Sequence, residues 1–175
     1  MPSKLIIFLI IFVAVVIQVS VMPNFFSSGS SPDLLIILLV FFTAEAGFSR
    51  TWKWAIFGGL VADIIFFTLP GTSAISFLII AYMTEIFAKR FLAGQRIWKI
   101  FILALIASLS LVFNNGLIFL FTKIVNYFYT TNYNEYFSIK IVAWGALYNF
   151  LLAIVIYWPF KKVKNLIISR RELKI

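Results

Sequence analysis

The chain contains no cysteine and no histidine. Without Cys there is no disulfide, thiol nucleophile or thiolate metal site. Without His the usual general base and a frequent metal ligand are missing, and serine–histidine chemistry is excluded. Charge is scarce too, at 12% of residues, with 6 acidic side chains against 15 basic ones. Motifs that carry chemistry are also missing. The sequence has no phosphate-cradling glycine loop, no H-E-x-x-H, no G-x-S-x-G and no carboxylate-rich metal cluster. It therefore calls for no cofactor and gives no sign of an enzyme.

What is present is hydrocarbon. Of the 175 residues 63% are hydrophobic, and the mean hydropathy is +1.05. A water-soluble domain of this length cannot hide so much apolar surface, so the expected solvent is lipid. The reading is an all-α integral membrane protein forming a six-transmembrane-helix bundle in one domain, residues 1–160. The spans fall at about 5–22, 34–48, 52–69, 73–91, 97–122 and 139–160, followed by a basic cytoplasmic tail, 161–175. The first apolar run continues to Met22 with no small-residue cleavage site, so it reads as an uncleaved span and not a signal peptide. Pro32 and Asp33 suit the start of the second helix, and Pro70-Gly71 suits a tight turn between the third and fourth.

The formal charge of +9 could suggest nucleic acid, but the basic residues flank the hydrophobic spans. Thirteen of the fifteen, from Lys4 through Arg50, Lys53, Lys89, Arg90, Arg96 and Lys99 to the tail, fall on one side; Lys123 and Lys140 fall on the other. The positive-inside rule then puts both termini in the cytoplasm. Trp52, Trp54, Trp98 and Trp158 fit the inner interface, and Tyr127, Tyr129, Tyr133 and Tyr136 the outer one. The tail cluster Lys161, Lys162, Lys164, Arg170 and Arg171 reads as a contact for anionic lipid; an acidic cytoplasmic partner is the alternative.

Helices in lipid pack through small residues. Ala55, Gly58, Gly59 and Ala62 recur at i, i+3, i+4, i+7, and Asp63 continues their stripe, which points it into protein near the bilayer centre. Span six has Ala143, Ala146, Asn149 and Ala153; span five has Ala104, Ala107, Ser108 and Asn115. A hydrogen bond from Asp63 to Asn149 is the preferred pairing. An ionisable group at such depth is costly to insert, and three roles are open to Asp63: a neutral structural hydrogen-bond donor, which is preferred, a lining of a ligand or ion cavity, or chemistry. Asp63 and Glu85 lack the motifs of intramembrane aspartyl proteases. Glu85 is expected to pair with Lys89 four residues on, and Glu45 with Arg50 or Lys53.

The run Ser31-Pro32-Asp33-Leu34-Leu35-Ile36-Ile37-Leu38, then Gly58-Gly59-Leu60-Val61-Ala62-Asp63, then Leu69-Pro70-Gly71-Thr72-Ser73-Ala74 resembles the MreD family of rod shape-determining membrane proteins. That family typically shows P-D-L-L-L-L in span two, a G-x-x-x-D-type motif in span three and a glycine turn leading into an A-x-x-x-L helix. The resemblance covers about residues 31–91. One departure is Phe66-Phe67, where many members carry small residues such as Ser-Gly. The resemblance implies a non-enzymatic scaffold of the bacterial cell-wall elongation machinery in the inner membrane. It implies a bitopic MreC-like partner and, through it, MreB, RodA and a penicillin-binding transpeptidase. It also implies a fold related to the S components of energy-coupling-factor transporters, whose vitamin-type uptake is the alternative function. An S component would need an A-x-x-x-A surface, and span one offers Ala14 and little else small.

Overall fold

A computed structural model describes residues 2–26, 30–91, 96–129 and 138–172. Among these residues every regular element is helical: α1 Pro2–Ser20, a short α2 Met22–Phe25, α3 Leu34–Ala46, α4 Phe48–Ile65, α5 Thr72–Phe91, α6 Arg96–Tyr129 and α7 Ile139–Glu172. Thr72–Phe91, Trp98–Phe128 and Ile139–Lys162 are long and apolar enough to cross a membrane, whereas the apolar stretches Ile7–Ser20 and Leu34–Ala46 are shorter. The described residues form an all-helical bundle whose long apolar helices suit a membrane protein.

α3 is the central strut. It touches α1, α4, α5, α6 and α7, and Leu34 to Ile37 and Leu39 to Phe41 are all buried. A helix that is apolar all round belongs inside a bundle, which explains both its composition and its brevity. Its 13 residues span only about 20 Å, against about 30 Å of hydrocarbon. At least one end of α3 therefore stops inside the apolar layer, and the unpaired backbone groups there need partners from the protein.

The corner between α3 and α4 is the single residue Gly47, at φ 79°, whose N–H donates to Thr43 O at 2.9 Å. Thr43 Oγ1 donates to Thr51 Oγ1 at 3.2 Å, and Thr51 Oγ1 donates to Gly47 O at 2.8 Å, so two hydroxyls hold the corner from within. α4 and α5 then form an antiparallel hairpin. α4 ends in a Schellman-type turn: Phe66 N donates to Ala62 O at 2.9 Å, Thr68 N to Asp63 O at 3.0 Å, and Phe67 takes the left-handed conformation at φ 51°. α6 and α7 pack side by side, and α7 continues through Pro159 to Glu172, carrying the tail backbone as helix.

Candidate functional site

The buried N-terminus of α3 is the most elaborate polar locus in the bundle. Asp33 is its N-cap: one carboxylate oxygen accepts from Leu35 N at 2.9 Å and Ile36 N at 3.1 Å. Leu34 N donates to Gln18 Oε1 at 2.9 Å, and the Gln18 amide returns a donor to Pro32 O at 2.9 Å. Asp33 N donates to Asn149 Oδ1 at 3.0 Å, while Asn149 Nδ2 donates to Ala107 O at 2.8 Å. Every backbone donor of the first turn has a partner, as burial in an apolar medium demands. Five segments converge here: α1 through Gln18, the loop through Pro32 and Asp33, α3, α6 through Ala107, and α7 through Asn149. Next to Ala107 on α6, Ser108 Oγ donates to Ala146 O at 2.8 Å. The arrangement fixes helices relative to one another.

Asn149 thus pairs with the α3 terminus and not with Asp63. Asp63 lies at the last turn of α4, at one end of the hairpin, because the helix closes at Ile65 instead of continuing to residue 69. Its carboxyl group meets two backbone donors, Gly71 N at 2.7 Å and Ser73 N at 3.0 Å, and two hydroxyls, Thr68 Oγ1 at 2.8 Å and Thr72 Oγ1 at 3.2 Å, the latter also bonded to Leu69 O at 2.7 Å. The two backbone N–H groups donate one to each oxygen, Gly71 N to Oδ2 and Ser73 N to Oδ1, so both oxygens of Asp63 accept and its role is structural. It closes the 68–72 turn and caps the N-terminus of α5, where the helix dipole favours a negative group. Pro70 is exposed, and Gly71 takes φ 94°.

Ala55, Gly58, Gly59 and Ala62 are all buried on α4, but they are not equivalent. A Cβ on Gly59 would lie 2.5 Å from Ala74 N and 2.7 Å from Ser73 C, so the α5 backbone passes directly over this residue. A Cβ on Gly58 would meet only the Phe77 ring, at 3.9 Å. The Gly59 crossing and the Asp63 cap occupy the same end of the hairpin and hold it shut together.

At the other end of the hairpin, Glu85 pairs with Lys89 at 2.8 Å, and the Phe48 N–H at the start of α4 faces the same carboxylate. The two carboxylates are therefore reciprocal: Asp63 of α4 serves the N-terminus of α5, and Glu85 of α5 serves that of α4. Glu45, expected to pair with Arg50 or Lys53, forms an ion pair with Lys99 of α6 at 2.8 Å. Arg50 and Lys53 are exposed.

On α6 the buried amide is Asn114, whose Oδ1 has no partner; Asn115 donates to Leu111 O in its own helix at 2.9 Å. On α7 Asn149 and Ala153 are buried and Ala146 is half-buried, but Ala143 is exposed, and Gly145 takes the close contact instead. Gln18 was not singled out from sequence, although it is the lone amide in the first apolar run. In the tail, Lys161 is half-buried and Lys162 exposed. The side chains of Lys164, Arg170 and Arg171, and residues Tyr133 and Tyr136, lie outside what the structure describes.

The family model for the rod shape-determining protein MreD matches residues 3–167. The chain belongs to the MreD family. This is a family of shape-determining membrane proteins, not a known enzyme family. No curated protein and no solved structure matches the chain. The match takes in the α3 terminus, the α4–α5 hairpin and its Asp63 cap, so the polar loci described above belong to the MreD region of the chain.

Proposed function

We propose that this MreD-family chain is a non-enzymatic scaffold of the bacterial cell-wall elongation machinery, holding an MreC-like bitopic protein so that rod shape is maintained. The family match over residues 3–167 carries this reading. The interior supports it, because Gln18, Asp33, Asn149 and Asp63 spend their polar atoms on helix ends and neighbouring helices. In this reading α1 and α3 to α7 are six spans of the inner membrane with both termini cytoplasmic, in a fold related to energy-coupling-factor S components. The positive-inside bias of the sequence supports the orientation. Through its MreC-like partner the protein connects to MreB, RodA and a penicillin-binding transpeptidase, and its basic tail meets anionic lipid.

The test is depletion in the native host. Rod cells should become round or swollen, and the MreC-like protein should leave the complex. Normal shape with loss of uptake of one vitamin would overturn the scaffold reading in favour of an S component. Cysteines introduced at Ser28, Asn132 and the exposed Pro70 should be labelled from outside the cell; labelling only from the cytoplasm would break the six-span arrangement.

A further inference from the structure

The acidic side chains of the bundle are not held alike. Glu45 and Glu85 each meet a lysine at 2.8 Å, Lys99 and Lys89 respectively, and both oxygens of Asp63 accept hydrogen bonds. Asp33 has neither arrangement. It is 8% exposed, and among the described residues only its Oδ1 is bonded, to Leu35 N and Ile36 N. The groups that α1, α6 and α7 bring to this junction are the Gln18 amide, the Ala107 carbonyl and the Asn149 amide, all of them neutral. The described titratable groups at this end of the packed helices are Asp63 of α4, Lys123 and Tyr127 of α6, and Lys140 and Tyr148 of α7; α1 and α5 bring none. None of these pairs with Asp33. Lys123, Tyr127 and Lys140 are exposed, and Tyr148 packs on Phe26.

A carboxylate in that setting is costly, because an apolar interior stabilises its charge far less than water does. Burial pushes Asp33 above its ordinary 3.8 to about 6, although the N–H groups of Ile36 and Leu35 pull the other way. Asp33 belongs to the loop that precedes α3 and not to a span. Protonation removes the charge and leaves the cap in place, since a neutral carboxyl keeps an oxygen that accepts from both N–H groups.

We propose that Asp33 makes the buried end of α3 a proton-operated latch, in which uptake of a proton tightens the junction of α1, α3, α6 and α7 and its release loosens it. The folded value lies above the unfolded one, so the folded chain holds more protons between the two. The junction is therefore tightest below about pH 4, weakens as pH rises to about 6 and stays weak above that. The positive-inside bias places the 26–33 loop outside the cell. On that orientation the latch responds to the pH of the outer compartment.

Hydrogen exchange of the full-length protein in lipid nanodiscs reads the latch directly. Protection of the Leu34, Leu35 and Ile36 amides, corrected for the intrinsic pH dependence of exchange, should fall about tenfold from pH 5 to pH 7, the ratio given by unfolded and folded values near 4 and 6. Asp33→Asn fixes this position in a neutral form of the same shape. Its protection should be equal at the two pH values and match that of the wild type at pH 5. Wild-type protection that does not change with pH, or an equal fall in Asp33→Asn, would overturn the latch. Should Asp33→Asn fail to accumulate, the wild-type exchange is joined by an infrared titration. The band of a protonated carboxylic acid should be present at pH 5 and largely lost by pH 7. Its absence at pH 5, or its persistence unchanged at pH 7, would overturn the proposal.

Discussion

Gly58 and Gly59 are adjacent glycines on one helix, yet alanine should act on them in opposite directions. In Gly59→Ala the new Cβ would sit 2.5 Å from Ala74 N and 2.7 Å from Ser73 C, separations that real Cβ atoms essentially never show. Both neighbours are backbone, so α4 and α5 must part by about 0.5–1 Å to restore van der Waals contact. Overpacking of this kind costs roughly 1–3 kcal/mol. The Ser73 N–H to Asp63 bond, 3.0 Å long, lies at the same crossing. Stretching it forfeits part of a charge-assisted hydrogen bond, about 1–2 kcal/mol. Helix propensity returns about 1 kcal/mol. The net expectation is a loss of about 1–4 kcal/mol. In Gly58→Ala the Cβ meets the Phe77 ring at an ordinary 3.9 Å, so propensity dominates and the variant should be neutral or stabilised by up to about 1 kcal/mol. Unfolding of the purified protein by graded SDS, followed through its tryptophans, measures both. Equal stability of the two variants, or a Gly58→Ala loss exceeding that of Gly59→Ala, would refute the crossing geometry.

Asp63→Asn replaces one acceptor oxygen by an NH2 that must face the backbone N–H of Gly71 or of Ser73; it should lose about 1–3 kcal/mol, and wild-type stability in the same SDS titration would refute the cap. Asn149→Leu leaves the buried Asp33 N–H without its acceptor at a cost of about 1–3 kcal/mol, and proteolysis at the 26–33 loop should accelerate; unchanged cleavage would show that Asn149 does not hold α3. Phe67→Gly removes a left-handed non-glycine residue that is 91% exposed, so it should gain about 1 kcal/mol; a destabilised variant would mean the ring packs on something.

The sequence carried the fold class because lipid-facing surface and positive-inside bias are written in composition and do not depend on how the helices meet. The small-residue face of α4 was legible for the same reason: Gly58 and Gly59 recur at helical spacing with Ala55 and Ala62. Which of the two glycines touches α5 was not, since that depends on the crossing point. The Asp63–Asn149 pairing failed because equal positions along two apolar runs were read as equal depth. The left-handed residue at Phe67 ends α4 early and puts Asp63 at a helix terminus, where backbone N–H groups outcompete a distant amide. Glu45 met Lys99 across 54 residues of chain, a contact that local spacing does not contain. Asp33 was readable as a cap from its place before an apolar run. Gln18 became significant only when α3 proved too short to reach the membrane surface.

The central claim is that the protein works by holding a partner. Affinity purification of the full-length chain from native membranes, with quantitative mass spectrometry of what comes with it, tests this most directly. The account predicts an MreC-like bitopic protein in stoichiometric yield that survives detergent exchange. Recovery of the chain with the ATP-hydrolysing and coupling subunits of an importer, and without the MreC-like protein, would contradict it.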